Sequence, residues 1–478
     1  MEAQFENIKQ ILAAHNQSQL LAFWSRLDSN QRKSLLGQIE QLDFDLIDKW
    51  IADYVKNPSP LKIPKDFSPA ASYPIEPDST ELKEKYKLAN LTGRQLISEG
   101  KVGAFVVAGG QGTRLGFDDP KGNFPITPVK NKTLFQFFAE TITAASKKYN
   151  AVIPWYIMTS PLNYQQTIDI FKKQKFFGLK EKDVFIFQQG IIPNFDFDGK
   201  ILLSDKATIA CSPDGHGGSI KALYKSGAVD DMKKRGIEML SYWQVDNALT
   251  KIFDPLFIGL HFLDKAEMSS KALAKIHPKE RVGNFCLVNG RVTVIEYSDL
   301  PDEFAEKRNQ DGSLIFGLGS IAIHIINRSF IEKLNTGVLN LPFHKAIKKI
   351  PYTDSSGKLI KPEKPNGIKL EQFIFDCLPL AENSVILQTL RSEEFAPVKN
   401  ADGDESPAQT RKMLVERWAS WLQSAGVTIP RKHNGTPDCI IEISPLFAID
   451  KEDIIKNKSL IPQIKPKDVL YFDITKKV

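Results

Sequence analysis

The sequence predicts an α/β protein built on a doubly wound sheet of mixed strand direction. From residue 101 onward, short apolar runs alternate with segments of helical periodicity, which is the pattern of strands joined by crossover helices. Before that point, residues 1–56 have helical spacing, and after residue 400 a long amphipathic segment precedes short apolar runs. We therefore predict a helical region with a proline-rich connector (1–100), a central sheet domain (101–400) and a small C-terminal domain (401–478).

The helical region 1–56 contains no recognisable chemistry. Apolar residues between Phe5 and Leu12 fall on one helical face, as expected for packing or for a partner surface. Six prolines between Pro58 and Pro77 indicate an extended connector, because proline lacks a backbone donor and disfavours helix before it. A further helix is predicted over residues 81–99.

The central region alternates as the fold class requires. Strands are predicted over 102–107, 152–159, 184–188, 238–245 and 314–326, and helices over 164–174 and 218–235. Asn289-Gly290 separates two alternating apolar runs between residues 282 and 297, which is a strong hairpin signal. The amphipathic segment 408–425 predicts one long helix near the C-terminus.

A glycine-rich loop follows the first of these strands. Residues 109–116 read Gly-Gly-Gln-Gly-Thr-Arg-Leu-Gly, with four glycines in eight positions. Without Cβ atoms in the way, backbone N–H groups can approach phosphate oxygens, and Arg114 and Lys121 would add positive charge. The alternative is a tight strand-to-helix turn with an incidental arginine.

Two better-known phosphate loops are excluded. No Gly-Lys-Ser/Thr occurs in or after these glycines, so the loop is not a P-loop. The spacing of Gly110, Gly112 and Gly116 is one residue too wide for a dinucleotide fingerprint, and residues 127–139 lack the acidic residue that would bind the ribose.

Polar residues also end two later strands. Gln188-Gln189 follows one strand and Asp246-Asn247 follows another, and the carboxyl ends of strands in open α/β sheets are where nucleotides bind. Asp246 is placed to hold Mg²⁺, which needs few protein carboxylates when substrate phosphates complete its shell. The local sequence fits a helix N-cap equally well.

The composition argues against nucleic acids and membranes as binding partners. The formal charge is 63 − 57 = +6, which is too small over 478 residues to indicate nucleic-acid binding. The N-terminus resembles no signal peptide, and no apolar run approaches the roughly 20 residues that span a membrane. The four cysteines form no CxxC pair and are expected to be reduced thiols. We predict a cytoplasmic protein without membrane partners and leave homo-oligomerisation open.

Several motifs in a fixed order resemble one family, the eukaryotic-type UDP-sugar pyrophosphorylases, and most nearly its UDP-N-acetylglucosamine branch. They are the loop 109–116 with Pro120-Lys121-Gly122, the stretches 212–218 (Ser-Pro-Asp-Gly-His-Gly-Gly), 245–247 (Val-Asp-Asn), 295–298 (Ile-Glu-Tyr-Ser) and 364–369 (Lys-Pro-Asn-Gly-Ile-Lys), and 395–400 (Phe-Ala-Pro-Val-Lys-Asn). The resemblance covers roughly 101–400. It implies a nucleotidyltransferase-like fold, UTP and a sugar 1-phosphate as substrates, and Mg²⁺ as cofactor.

The resemblance also assigns roles to individual residues. It implies catalytic cations at Arg114, Lys121 and Lys399 and a metal ligand at Asp246. It implies substrate contacts at Gly109, Gly110, Gly112, Thr113, Gln189, Gly215, His216, Asn247, Gly283, Glu296, Ser320, Phe373 and Phe375.

Each of these assignments has a plainer reading. A lysine is usually a solvated surface residue, Glu296 fits an exposed strand carboxylate, and the two phenylalanines fit a helix core. Gln188 competes with Gln189 as the residue that reads uracil, since a one-residue slip exchanges them.

Two departures leave the sugar open. His216 and Ser320 stand where the N-acetylglucosamine branch usually has Asn, and histidine at the first position is more typical of the UDP-glucose branch. Glucose 1-phosphate is therefore the alternative to N-acetylglucosamine 1-phosphate. A nucleotide-sugar binding protein without activity and an oligomeric scaffold are the readings from other classes.

Overall fold

The protein is described by a computed structural model that covers residues 1–56, 66–337 and 341–474. The described residues pack into two compact units. The first draws on the ranges Met1–Pro64, Gly190–Gly218 and Asn340–Phe373, and the second on Lys65–Gln189, Ser219–Leu339 and Ile374–Val478. The chain therefore enters the first unit three times. The division predicted at residues 100 and 400 stays a prediction.

The predicted helices 81–99, 164–174 and 408–425 agree with the structure to within one residue at each end. The helices of the described residues are α1 (Glu2–Ala14), α2 (Ser29–Glu40), α3 (Phe44–Trp50), α4 (Thr80–Ser98), α5 (Leu134–Tyr149), α6 (Tyr164–Lys173), α7 (Ser219–Lys225), α8 (Ala228–Arg235), α9 (Pro255–Leu263), α10 (Asp302–Ala305), α11 (Arg328–Thr336), α12 (Arg391–Glu394), α13 (Pro407–Ser424) and α14 (Lys451–Lys456). Side-chain caps fix several starts. Asp28 and Gln31 form a capping box on α2, and Ser406 caps α13 ahead of a proline in its first turn.

The strands are mostly short. They are β1 (Phe67–Pro69), β2 (Val102–Val107), β3 (Trp155–Thr159), β4 (Val184–Gln188), β5 (Ile191–Pro193), β6 (Leu203–Asp205), β7 (Thr208–Ile209), β8 (Cys211–Pro213), β9 (Met239–Gln244), β10 (Met268–Ala274), β11 (Gly283–Val288), β12 (Arg291–Ile295), β13 (Leu318–Asn327), β14 (His344–Lys348), β15 (Tyr352–Thr353), β16 (Leu359–Ile360), β17 (Gly367–Glu371), β18 (Ile386–Thr389), β19 (Ile440–Ile443) and β20 (Val469–Phe472).

A mixed sheet organises the second unit. Among its described residues, ten strands form one sheet with the path β1-β11-β13-β9-β2-β3-β4, while β12 adds to β11, β10 to β13, and β18 to β10. Strands β9, β2, β3 and β4 are parallel neighbours, whereas β13 runs antiparallel to β9. The predicted mixed α/β fold is confirmed. The carboxyl ends of β2, β3, β4 and β9 lie at one edge, and each is followed by polar residues.

Each unit has its own hydrophobic core. In the second unit, β2 and β3 are buried along their whole length, and aromatic side chains such as Phe135 and Trp243 fill the space against the helices. Trp418 of α13 and Ile441 of β19 belong to this same core. In the first unit, helices α1 to α3 bury apolar residues together with those of β5, β6, β7 and β17.

The structure confirms one element predicted from local sequence and contradicts another. The hairpin at Asn289-Gly290 is confirmed, with φ of 50° and 75° at the two turn residues. The single helix predicted over 218–235 is wrong, because Gly227 adopts φ of 80° and separates α7 from α8. The predicted connector 58–77 lies partly outside the described residues.

Membrane insertion finds no support in the described helices, none of which combines the length and the apolar character needed to cross a bilayer. The four cysteines are free thiols.

Candidate active site

The glycine loop after β2 folds back on itself. Gln111 and Pro120 form an isolated antiparallel bridge, and the backbone N–H of Lys121 donates to the carbonyl oxygen of Gly110 at 3.1 Å. The chain thus returns past its own glycines, which places Lys121 beside them. A methyl group on Gly110 would lie 3.9 Å from Cε of Lys121, its nearest neighbour.

The loop presents unpaired backbone donors. Within the described residues, the N–H groups of Gly109, Gly110 and Gln111 donate to no protein acceptor. Free backbone donors on a glycine-rich turn are available to bind an anion. Thr113 and Arg114 follow on a short 3₁₀ turn, where both side chains are exposed. Arg114 has no carboxylate partner among the described residues.

Gln189 lies directly against this loop. It is 7% exposed, and a methyl group on Gly109 would clash with its Oε1 atom. Its backbone N–H donates to the carbonyl oxygen of Thr159 at 2.8 Å, which continues the pairing of β4 with β3. Gln188, the competing residue, has an exposed side chain. Of the two candidates, Gln189 is therefore the one that lies against the glycine loop.

Asp246 brings a carboxylate to the same edge. It follows β9, and its Oδ2 atom lies 3.4 Å from Nζ of Lys121, with the two side chains 19% and 15% exposed. The next residue back, Val245, donates its backbone N–H to Val107 at the end of β2, so the two strand ends are joined. The described residues contain no cluster of three or more His, Cys, Asp or Glu side chains that could hold a metal.

Both polar atoms of the Asn247 side chain are hydrogen-bonded to backbone groups. Its Nδ2 atom donates to the carbonyl oxygen of Glu394 at 2.7 Å, and its Oδ1 atom accepts from the N–H of Ala396 at 3.0 Å. The residue is 3% exposed and pairs with Pro397 as an isolated bridge. In this geometry Asn247 joins the segment after α12 to the end of β9 instead of offering its amide to a sugar.

Lys399 is carried by the segment that Asn247 holds. The N–H of Val398 donates to the carbonyl oxygen of Asp246 at 3.0 Å, so the backbone before Lys399 lies against the carboxylate residue. The amine of Lys399 is paired with Glu405 at 2.9 Å, and both side chains are more than a third exposed. In the structure, the amine of Lys399 is thus partly exposed and shared with a surface carboxylate.

Three of the predicted substrate contacts, Gly283, Glu296 and Ser320, lie together. Gly283 and Ser320 are opposite partners in β11 and β13. A methyl group on Gly283 would lie 3.4 Å from Oε1 of Glu296 and 3.9 Å from Cβ of Ser320. Beyond Ser320 the pairing of β13 with β10 shifts register, and Ala322 takes φ of 54°. This irregularity falls where β13 changes its partner from β11 to β9.

Gly215 and His216, two of the predicted substrate contacts, belong to the first unit. His216 stacks on Phe373 at 5.1 Å between ring centroids and 7° between planes, and His344 stacks on the same ring at 3.9 Å. Gly215 has φ of 85°, a conformation that favours glycine. Burial, assisted by His344, lowers the pKa of His216 to about 4, so this imidazole is neutral at physiological pH.

The two predicted aromatic residues, Phe373 and Phe375, belong to different units. Phe373 ends the first unit, whereas Phe375 lies in a 3₁₀ segment (Ile374–Leu380) of the second unit and is 6% exposed. Phe375 therefore fits the core reading, while Phe373 is an aromatic surface between two histidines.

Sequence reasoning missed Asn163 and His344. Asn163 follows the end of β3, in a Ser-Pro-Leu-Asn turn that starts at Ser160, and it is completely buried against the glycine loop. The ends of β4 and β9 were noticed because polar residues follow them, and the same criterion applied to β3 would have identified this turn. His344 carries no such signal, because only the fold brings it to Phe373.

Comparison with known proteins places the chain in a family. The family described as UTP–glucose-1-phosphate uridylyltransferase matches residues 71–471. UDP-N-acetylhexosamine pyrophosphorylase-like protein 1 of Xenopus tropicalis is 37% identical, over 93% of both chains. UDP-N-acetylglucosamine pyrophosphorylase of Saccharomyces cerevisiae is 36% identical, over 88% of this chain and 92% of its own.

A solved structure extends the likeness to the whole fold. The uridine diphosphate N-acetylglucosamine pyrophosphorylase of Trypanosoma brucei, solved with an inhibitor, is 26% identical with a TM-score of 0.79, and the likeness covers 99% of both chains. The sequence match over most of the chain and the shared fold agree with the glycine loop and the strand-end residues described above. This chain belongs to the UTP–glucose-1-phosphate uridylyltransferase family.

Proposed function

We propose that this protein is a UDP-sugar pyrophosphorylase, which forms a UDP-sugar and pyrophosphate from UTP and a sugar 1-phosphate. The observation that carries the proposal is the row of unpaired N–H donors at Gly109, Gly110 and Gln111, next to Lys121 and Asp246. The preferred sugar substrate is N-acetylglucosamine 1-phosphate, in keeping with the names of the relatives at 36% and 37% identity.

The reaction is an in-line displacement at phosphorus. An oxygen of the sugar phosphate attacks the α-phosphorus of UTP, a new P–O bond forms, and the bond to the β-phosphate oxygen breaks as pyrophosphate leaves. The nucleophile is ionised at neutral pH, so no general base is needed. Catalysis then consists of positioning and charge stabilisation, which suits backbone N–H groups and the cations Arg114, Lys121 and Lys399.

Asp246 is the residue that would hold Mg²⁺. A single partly exposed carboxylate beside a phosphate-binding loop fits this ion, which prefers one or two carboxylates together with substrate phosphates. When bound, Mg²⁺ supplies positive charge to the phosphate oxygens. Asp246 itself fixes one oxygen ligand at the edge of the sheet.

The remaining predicted residues recognise different parts of the two substrates. Gln189 reads the uracil edge, and Gly215 and His216 serve the base and ribose. Gly283, Glu296 and Ser320 form the sugar site, with Asn247 holding the neighbouring segment. The partners are the two small-molecule substrates, and a cytoplasmic location is part of the proposal.

Glucose 1-phosphate is the alternative substrate. His216 and Ser320 favour it, because both replace an asparagine that the N-acetylglucosamine branch usually carries. A serine is shorter than asparagine, so a hydrogen bond to an N-acetyl carbonyl would require a bridging water.

A side-by-side assay tests the proposal. Purified protein with Mg²⁺ and UTP is given N-acetylglucosamine 1-phosphate or glucose 1-phosphate, and pyrophosphate release is measured over time. We expect a higher kcat/KM with the N-acetylated sugar. A higher kcat/KM with glucose 1-phosphate would establish the alternative, and release with neither sugar phosphate, nor with any other, would overturn the proposed reaction.

A further inference from the structure

Asn163 is a buried amide that touches the glycine loop through two backbone carbonyls. Its side chain is completely buried, and its Nδ2 atom donates to the carbonyl oxygens of Ala108 at 2.9 Å and Gly110 at 3.2 Å. On the other side, its Oδ1 atom accepts from the backbone N–H and the hydroxyl of Ser160, at 2.9 Å and 3.0 Å. One amide thus connects the end of β3 to the loop after β2.

The chemistry of these partners requires a neutral amide in one orientation. Carbonyl oxygens only accept hydrogen bonds and a backbone N–H only donates, so the nitrogen of Asn163 must face Ala108 and Gly110 and its oxygen must face Ser160. A carboxylate of the same shape would keep the bonds to Ser160 but would turn a second acceptor towards the two carbonyls. Aspartate therefore has nearly the same shape as asparagine here, but its negative charge would repel the two carbonyl oxygens.

These bonds also fix where the loop's own donors point. In a trans peptide unit, the C=O of one residue and the N–H of the next point in opposite directions. When Asn163 holds the carbonyls of Ala108 and Gly110, it directs the N–H groups of Gly109 and Gln111 away from itself. Neither of these N–H groups has a protein acceptor within the described residues.

We infer that Asn163 is a positioning residue for the nucleotide's polyphosphate chain, which acts by holding two peptide units so that their N–H groups face the phosphates. This inference rests on the proposed function, since it assumes that the loop binds the triphosphate of UTP. Glycine allows the loop many backbone conformations but does not fix the orientation of its peptide units. The hydrogen bonds from the amide of Asn163 fix that orientation.

The test compares Asn163→Asp with a matched variant, Asn335→Asp. Asn335 also donates its side-chain amide to two carbonyls of the second unit, those of Ile220 at 3.2 Å and Ile331 at 2.8 Å, but it lies at the end of α11. For Asn163→Asp we expect the KM for UTP and the dissociation constant for inorganic pyrophosphate to rise about tenfold or more, since two hydrogen bonds are replaced by repulsion. The KM for the sugar 1-phosphate and the binding of uridine should stay within about twofold on the same reasoning.

The control separates positioning from stability. Asn335→Asp should lower the thermal unfolding temperature without raising the KM for UTP. If Asn163→Asp only lowers the unfolding temperature, or weakens uridine and pyrophosphate binding equally, the positioning role is wrong. Should Asn163→Asp fail to fold, Asn163→Ser, which removes the amide N–H donors without adding charge, must raise the KM for UTP in the same selective way.

The outcome is independent of the proposed function's own test. If the wild-type protein releases no pyrophosphate with any sugar phosphate, the proposed reaction fails before any variant is examined. If the wild-type protein is active and both Asn163 variants bind pyrophosphate normally, only the inference about Asn163 fails.

Discussion

At the scale of single residues, two lysines with the same implied role have different surroundings. The amine of Lys121 faces the carboxylate of Asp246 at 3.4 Å from a mostly buried position, and its backbone is tied to Gly110. The amine of Lys399 is paired with Glu405 on a more exposed surface. Because a charge acts more strongly where less water screens it, we expect Lys121 to contribute more to catalysis than Lys399.

Replacing Lys121 with alanine tests this directly. We expect kcat to fall by about 10²- to 10³-fold, the size typical for loss of one charge-stabilising group in the transition state. The free energy of unfolding should change by less than about 1 kcal/mol, because the ion pair with Asp246 is partly exposed. Steady-state kinetics and thermal unfolding measure the two quantities. Lys173→Ala, on the exposed face of α6, is the control, and normal turnover by Lys121→Ala would remove this residue from the mechanism.

The position of Ser320 leads to a prediction about which sugar 1-phosphate is preferred. It lies opposite Gly283 and near Glu296, in the group of residues proposed to contact the 2-substituent. Ser320→Asn restores the longer amide and should raise the ratio of kcat/KM for N-acetylglucosamine 1-phosphate over glucose 1-phosphate by about tenfold, the value of one good hydrogen bond. The ratio is measured by competition between the two sugar phosphates, and an unchanged ratio would place Ser320 outside the sugar site.

At the scale of elements, the glycines of the loop serve separate purposes. A methyl group on Gly112 would collide with Phe117, and one on Gly122 would collide with the buried ring of Phe135. Gly110 instead has open space, with only Cε of Lys121 near it at 3.9 Å. The glycine-rich pattern therefore combines positions required by packing with a position required by the ligand.

The pair Gly110→Ala and Gly122→Ala separates these purposes. Gly110→Ala should leave the free energy of unfolding within about 0.5 kcal/mol of wild type, because nothing is displaced. It should still raise the KM for UTP about tenfold, because the methyl group occupies space beside Lys121 that a phosphate needs. Gly122→Ala should instead lower the free energy of unfolding by about 1–3 kcal/mol through overpacking against Phe135. Chemical denaturation and UTP kinetics distinguish the two, and a destabilised Gly110→Ala with normal kinetics would contradict the division.

At the scale of the whole molecule, two cores are assembled from segments far apart in the chain. The N-terminal helices bury their apolar faces with residues from the stretches 190–218 and 341–373, while α13 and β19 share the core of the main sheet. Buried polar groups join distant elements in the same way. The ring of His261 on α9 is hydrogen-bonded to Ser269 of β10 at 2.7 Å and to Asn327 of β13 at 2.9 Å.

This buried histidine predicts a dependence of stability on pH. Burial lowers the pKa of His261 to about 4, whereas an unfolded histidine titrates near its ordinary value of 6.5. Between these values the unfolded chain takes up a proton that the folded chain does not, so the free energy of unfolding should fall as the pH falls from 6.5 towards 4.

The variant His261→Gln isolates that contribution. It should be less stable than wild type at pH 7, because it loses the hydrogen bonds to Ser269 and Asn327. Its stability should decline less steeply below pH 6.5, by up to about 1.4 kcal/mol per pH unit for the one proton involved. Denaturant unfolding at a series of pH values measures both slopes, and parallel slopes for the two proteins would show that His261 does not titrate this way.

Much of the fold and part of the site could be predicted from the sequence. Strands β2 and β3 were identifiable because apolar runs are typical of strands buried on both faces. The hairpin at Asn289-Gly290 and the long α13 also follow from local patterns, since turn chemistry and helical periodicity act over a few residues. The break at Gly227 was missed because an isolated glycine is tolerated in a helix, and only the packing of α7 and α8 required the turn.

By itself, the sequence determined the class of the protein and the residues available for its chemistry. The glycine loop, the order of the motifs and the carboxyl-end residues Gln188-Gln189 and Asp246 follow from local spacing, because strand ends and turns are read over a few positions. Only the tertiary structure decided which residues meet. It turned Asn247 towards the backbone of Glu394 and brought Asn163 to the glycine loop, because such contacts join residues separated by tens to hundreds of positions and depend on the packing of the whole chain.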